Sequence, residues 1–174
     1  MNEQLVILVN QKDEAQGEME KMMAHKEGLL HRAFSVFIFN NKGEMLLQRR
    51  AVNKYHSGGL WSNACCSHPY PGEATEAGAE RRLREELGFV TKLTKAFDFI
   101  YRAEFSNGLT ENEFDHVFTG EYNGTIHGNT DEVCDYCYKN IDDLKNSMQT
   151  DPGKFTAWFH IVFPRIEEWW TKNY

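Results

Sequence analysis

Glu111-Asn112-Glu113 sets two carboxylates two residues apart. On a strand, residues i and i+2 point the same way, so both carboxylates share one face. Phe114, Phe118 and Tyr122 then occupy the other face, suited to a core. Two neighbouring carboxylates repel unless a cation or a shared proton intervenes. A solvated strand edge is the plainer alternative for this pair. His25, His31 and His68 are candidate partners, because imidazole and carboxylate together suit Zn²⁺, Mn²⁺ or Fe²⁺. No local zinc spacing such as H-E-x-x-H accompanies them. His56, His127 and His160 read as ordinary histidines, and His116, beside Phe114 and Phe118, as a satisfied core histidine.

Cys65-Cys66-Ser67-His68-Pro69 is a second cluster. In an extended chain Cys65 and Cys66 face opposite ways, so only one can reach a site. Cys134-x-x-Cys137 has the spacing of a redox pair or half a zinc site. It falls in a strand-like stretch, however, where i and i+3 point apart, so structural cysteines are expected there. The third cluster runs from Glu73 to Arg81-Arg82-Leu83-Arg84-Glu85-Glu86-Leu87-Gly88. It resembles the Nudix box: Glu73, Arg81, Leu83, Glu85, Glu86 and Gly88 fall on box positions. Ser67, Arg82 and Phe89 depart from it. Arg82 replaces a metal-binding glutamate, which weakens a multi-Mg²⁺ hydrolytic centre and supplies a fork suited to phosphate.

These departures fit one branch of that superfamily. The chain resembles the type 1 isopentenyl-diphosphate Δ-isomerases over nearly its whole length. The resemblance rests on an ordered set: Lys21, His25, His31, Arg49-Arg50, Lys54, Trp61-Ser62-Asn63-Ala64-Cys65-Cys66-Ser67-His68-Pro69, Arg81-Arg82, Glu85-Glu86-Leu87-Gly88, Tyr101-Arg102, Glu111-Asn112-Glu113 and Trp158. It implies one divalent metal (Zn, Mn or Mg) held by His25, His31, His68, Glu111 and Glu113. It implies a Mg²⁺ bound with the substrate diphosphate through Glu86 and the backbone carbonyl of Cys66. Lys21, Arg50, Lys54 and Arg82 match the family's diphosphate contacts. The implied substrate is a small homoallylic or allylic diphosphate whose double bond is moved by protonation and deprotonation. An unactivated alkene offers no carbonyl to polarise, so protonation to a tertiary carbocation precedes loss of the C2 proton. The resemblance assigns Glu113, with Tyr101 beside it, to protonation and Cys66 to proton removal. Trp158 faces the cation, as an aromatic ring can. Trp61 is a further candidate for the cleft lining.

The elements that must position these residues are partly legible. Leu5–Val9 reads as a strand, and residues 14–25 as a short helix or a loop. Ala33–Phe39 and Met45–Arg49 flank a hairpin signal at Asn40-Asn41-Lys42-Gly43. Leu60–Cys66 reads as one short strand. Glu73–Leu87 is the clearest helix, with Ala79, Leu83 and Leu87 at four-residue spacing and Gly88 as its stop. Val90–Phe105 reads as one or two strands, Glu111–Tyr122 and Glu132–Tyr138 as strands, and Ile141–Met148 as a helix. From Pro152 onward an aromatic helix is expected, divided at Pro164. The result is an α+β class, a Nudix-like mixed sheet sandwiched between helices.

The chain has 174 residues, 19 Lys+Arg against 26 Asp+Glu, and a net charge of −7. That length suits one domain, 1–174. The acidic balance disfavours nucleic acid and anionic membrane surfaces. No leader or membrane-spanning run is visible, and the cysteines do not form a secreted disulfide framework. A cytoplasmic monomer is expected. The rival readings are a Nudix diphosphate hydrolase and a thiol-based binding protein built on Cys134 and Cys137.

Overall fold

A computed structural model describes residues 4–174. The element order is β1 (Leu5–Val9), β2 (Ala15–Glu20), α1 (Lys21–Glu27), β3 (His31–Phe39), β4 (Met45–Arg50), β5 (Trp61–Asn63), β6 (Cys65–Ser67), α2 (Thr75–Leu87), β7 (Thr94–Glu104), β8 (Thr110–Glu121), β9 (Val133–Lys139), α3 (Ile141–Thr150) and α4 (Ala157–Asn173). All nine strands join one mixed sheet.

β3 is the axis of that sheet. One of its edges pairs in parallel with β8 over its whole length, from His31↔Glu113 to Phe39↔Glu121. Its remaining pairings are antiparallel and change along the strand: β1 at His31, β6 at Phe34–Val36 and β4 at Phe39. A strand covered on both faces should be apolar almost continuously, and β3 is. Phe34, Val36 and Ile38 pack with Ala79, Leu83 and Leu87 of α2. Phe37 and Phe39 pack on the other face with Leu144 of α3 and Phe159, Val162 and Phe163 of α4. Helices therefore cover both faces of the sheet, as expected from the order of the elements.

Four sequence expectations need correction. Residues 14–25 are neither one helix nor a loop: β2 pairs with β1, and α1 begins only at Lys21. β2 is an edge strand largely exposed on both faces, so it carries no apolar alternation to read. Leu60–Cys66 is two strands, because the chain passes at Ala64 from pairing with β4 to pairing with β3. The Asn63 side chain holds that crossing by donating to the carbonyls of Val36 and Cys65. The expected helix starts at Thr75, leaving Glu73 before it to bond Arg81 at 2.8 and 2.9 Å. Pro164 does not divide α4. It sits on an exposed side, where a carbonyl deprived of its N–H partner can be hydrated.

Gly88 ends α2 in the left-handed region at φ 74°. A Cβ there would lie 2.5 Å from the carbonyl oxygen of His127. The 127–129 segment is tied to the same helix end by His127 N–H to Leu87 O and Asn129 N–H to Glu86 O. Gly88→Ala is therefore expected to cost about 1–2 kcal/mol from backbone conformation alone, with the contact adding to it. A lowered denaturation midpoint with unchanged slope would show this; an unchanged midpoint would refute it.

Candidate active site and metal centre

The odd-numbered residues of β3 and β8 share the face that α4 covers, and they deliver His31, Glu111 and Glu113 to it. Glu113 lies directly across from His31 in the parallel pair. α1 adds Lys21 and His25, four residues apart and so on one side of the helix. Its first turn is capped by the Glu20 carboxylate, which accepts from the N–H groups of Met22 and Met23. β6 brings Cys66, followed by His68, and β7 brings Tyr101 opposite Glu113.

His25, His31, His68 and Glu113 form one buried group, each offering a ligand atom within 4.8 Å of the others. His31 Nε2 lies 3.2 Å from His68 Nε2, and His68 Nε2 lies 3.0 Å from Glu113 Oε1. The outer nitrogens are engaged by main chain: His25 Nδ1 with Lys21 O at 2.7 Å and His31 Nδ1 with Leu29 O at 2.8 Å. A carbonyl accepts only, so each Nδ1 carries the proton and each Nε2 presents a lone pair. Lone pairs and a carboxylate converging this closely suit a divalent cation. Glu111 lies outside this group of four. It is buried, 3.1 Å from Tyr101 Oη and 3.5 Å from His56 Nε2. The solvated strand edge is thereby excluded for both glutamates.

Electrostatics in the metal-free chain follow from burial. Burial raises the Glu111 carboxyl well above the usual range, and the Glu113 charge reinforces this. Burial acts on Glu113 in the same direction, but the adjoining His31 and His68 rings outweigh it and hold that carboxyl low. Tyr101 Oη lies between the two carboxyls and donates to Glu113 at 2.7 Å. Burial lowers His68 to about 4 and His56 to about 3. Burial also pushes the Cys66 thiol up, and the Asp115 carboxylate adds to that.

Depressed histidine values carry a sign for stability. Such a ring binds its proton more readily in the unfolded chain, so stability is intact above about pH 6.5 and falls as pH drops toward 4. For His68 alone the loss is on the order of 3 kcal/mol by pH 4. Denaturant titrations of the metal-free protein at pH 7 and pH 5 should therefore give a lower midpoint at pH 5. Equal midpoints would show that these rings are not buried as neutral groups.

One pocket gathers the rest. A cavity of about 180 Å³ is lined by Lys21, His25, Arg50, Lys54, Cys66, His68, Arg82, Glu86, Tyr101, Glu111, Glu113 and Trp158, among others. His31, fully buried behind the lining, reaches the cluster through His68 and Glu113. Arg82 bonds Glu85 and Glu86 at 2.7 Å, and Glu86 also accepts from Gln48 at 2.8 Å. The Arg50 guanidinium stands 5.1 Å from the centre of the Trp158 ring. Arg50 Nε and Arg82 Nε are buried without a partner among the described residues. Burial, and then the charges of Arg82, Lys54 and Arg50, lower the Lys21 ammonium. Unpaired donors and crowded cations are what a pocket for a multiply charged anion presents.

Trp61 does not line this pocket. It packs on the α3/α4 side and borders a separate cavity with Leu47 and Phe155, because the break at Ala64 separates it from Cys66. Cys65 is buried in the α2 core while Cys66 faces the pocket, as opposite strand faces require. Cys134 and Cys137 are free thiols on β9 and do not line the pocket. His116 pairs with Asp13 at 2.9 Å, a satisfied histidine as expected.

Sequence reasoning missed five lining residues: Gln4, Tyr55, His56, Tyr70 and Glu132. His56, read as ordinary, stacks on Phe105 at 4.7 Å and meets the Trp158 ring edge-on at 5.8 Å. Its only signal was proximity to Lys54 in an aperiodic loop. Glu132 bonds Lys54 and approaches Arg82 to 3.5 Å.

Comparison with known proteins bears on the family and the fold. The NUDIX domain family matches residues 29–159. An isopentenyl-diphosphate Delta-isomerase of Pectobacterium atrosepticum is 50% identical, covering 95% of this chain and 92% of that protein. One from Burkholderia multivorans is 48% identical, covering 94% and 93%. Among solved structures, DR0079 from Deinococcus radiodurans superposes with a TM-score of 0.72 at 19% identity, covering 85% of this chain and 90% of that one. A MutT protein from Methanosarcina mazei gives 0.65 at 21% identity, covering 80% and 94%. At such identities the structural likeness speaks for the fold alone. Near-full-length identity of about half goes further, and with it the chain belongs to the isopentenyl-diphosphate Delta-isomerase family, built on the NUDIX fold.

Proposed function

We propose that the chain interconverts isopentenyl and dimethylallyl diphosphate through a tertiary carbocation, in isoprenoid biosynthesis. The observation that carries this reading is the lining of one pocket by Cys66, by the Tyr101–Glu113 pair and by four cationic side chains. Lys21, Arg50, Lys54 and Arg82 bind the diphosphate, and Arg50 and Arg82 bring donors that otherwise lack partners.

His25, His31, His68 and Glu113, with Glu111 as a fifth ligand, would hold a divalent metal: Zn, Mn or Mg. Glu86 and the Cys66 carbonyl would hold a Mg²⁺ that arrives with the diphosphate. Bound cations cancel the repulsion between the carboxylates and help to neutralise the phosphates. Glu113, with Tyr101 beside it, delivers the proton to C4 of the alkene. Cys66 takes the C2 proton as thiolate. In the back reaction the thiol that burial favours returns it. Trp158 offers its ring to the cation, an interaction of ~2 kcal/mol or more when desolvated. The cation must be kept from water, which would quench it to an alcohol.

The free state of all four cysteines supports a reduced, cytoplasmic setting. We read residues 1–174 as one domain acting as a monomer on a small diphosphate, without nucleic acid or membrane. No helix among the described residues is long and apolar enough to cross a membrane. Incubation with isopentenyl diphosphate and Mg²⁺, followed by NMR, tests the reading. Dimethylallyl diphosphate is the expected product; phosphate release without it would point to a hydrolase. Cys134→Ser and Cys137→Ser are expected to leave turnover largely intact, and a collapse in either would revive the thiol-based alternative.

A further inference from the structure

Asp115 has no part in the chemistry above, yet it is a buried carboxyl in the middle of β8. It is 2% exposed, and its Oδ1 has no partner among the described residues. Burial pushes it up to about 8. Such a group is costly to place in a core, and an apolar residue would fit a strand interior better. Its one hydrogen bond is from Ser35 Oγ to Oδ2, at 2.7 Å. Ser35, on β3, lies directly across from Cys66 in the antiparallel β3–β6 pair, and its Oγ is 3.4 Å from Cys66 Sγ. Neither Ser35 nor Asp115 lines the pocket.

Ser35 Oγ is held by Asp115 on one side and lies against the sulfur on the other, where either atom can donate. On its other side the sulfur donates to Asn63 Oδ1 at 3.1 Å. The Asn63 amide cannot turn over, because its NH₂ is spent on Val36 O at 3.0 Å and Cys65 O at 2.9 Å. Cys66 Sγ therefore meets two fixed oxygens from the core, Ser35 Oγ and Asn63 Oδ1. A cysteine side chain has one free rotor, and this arrangement selects one of its staggered positions.

We propose that Asp115 and Ser35 are positioning residues for Cys66: the carboxyl orients the Ser35 hydroxyl, which with Asn63 sets the sulfur toward the bound substrate. The inference rests on Cys66 acting on the substrate. Misplacement of a reacting atom by about 1 Å can cost on the order of 100-fold. Ser35→Ala and Asp115→Leu should therefore lower kcat by about 10- to 100-fold while KM stays within about twofold, since neither residue touches substrate. Ser35→Thr and Asp115→Asn keep the hydroxyl and the acceptor, and should stay within about threefold of the parent. A crystal structure of Ser35→Ala should show the Cys66 side chain turned or split between rotamers on an unmoved backbone. Wild-type kcat in Ser35→Ala overturns the proposal. So does equal impairment of Ser35→Ala and Ser35→Thr, which would mark a packing role. If Asp115→Leu does not fold, the two Ser35 variants and the crystal structure decide. Cys66→Ser, run in parallel, separates the two readings. Full activity there removes the assumed role of Cys66, whereas an inactive Cys66→Ser beside a fully active Ser35→Ala removes only this inference.

Discussion

Cys66→Ser is expected to lower kcat by about 10³-fold while the chain stays folded, because one of two acid–base groups is lost. The residual chemistry is the sharper test. With Glu113 and Tyr101 intact, the alkene can still be protonated at C4, but the cation can only give a proton back from C4. Isopentenyl diphosphate recovered from D₂O should carry deuterium at C4 well before dimethylallyl product accumulates at the residual rate. Recovered substrate free of deuterium would remove the Tyr101–Glu113 pair from the protonation step. Glu113→Gln should abolish both exchange and product. Tyr101→Phe, which leaves the four-residue His/Glu group intact, should lower both by about 10- to 100-fold. Tyr101 donates to Glu113 at 2.7 Å, so its loss also removes that hydrogen bond.

Chelation should abolish turnover, and stoichiometric divalent metal should restore it. The same centre is structural: three buried imidazoles and a carboxylate converge on one point, and a ligand that binds only the folded chain stabilises it. Free metal at about 100 times its Kd is worth about 2.7 kcal/mol. The metal-free protein should thus melt several degrees lower. His68→Ala removes one donor and should lose both activity and this metal-dependent shift. Full turnover in protein shown by elemental analysis to be metal-free would overturn the assignment of the cluster.

The sequence was legible where an element packs in one regular way. α2 shows its buried stripe through Ala79, Leu83 and Leu87, and Gly88 marks its end. β3 was legible as an apolar run beside a turn signal, and β8 because its carboxylates alternate with apolar residues. Strand parity showed that only one of Cys65 and Cys66 could face the site, and the family motif, with its thiol two residues before His68, selected Cys66. β2 was not legible, since an edge strand exposed on both faces has no pattern to display. Trp61 was misplaced because no local signal reveals that the chain changes partner strand at Ala64. Of the site, each histidine taken singly is unremarkable. Only the ordered set of motifs joined His25, His31, His68 and the glutamates before the fold did. His56, Tyr55 and Glu132 lay beyond reach, because loops place side chains by tertiary contact rather than by periodicity.

The parallel pairing of β3 with β8 sets the order in which this molecule can assemble. His31 and Glu113 are register partners, yet the whole stretch from β4 to β7 separates them along the chain. Parallel strands joined by so long a connection pair late, because the loop must close before any contact rewards it. A nascent chain therefore has its three histidines synthesised well before Glu113, and no complete binding group until β8 has docked. Once it has docked, a slip of one residue would swing Glu113 to the α2 face and Phe114 or Asn112 into its place. The metal donors thus read the strand register, and a cation that demands all of them favours the correctly aligned sheet over its misaligned neighbours. Refolding with divalent metal present should leave fewer slow, misaligned molecules than refolding without it.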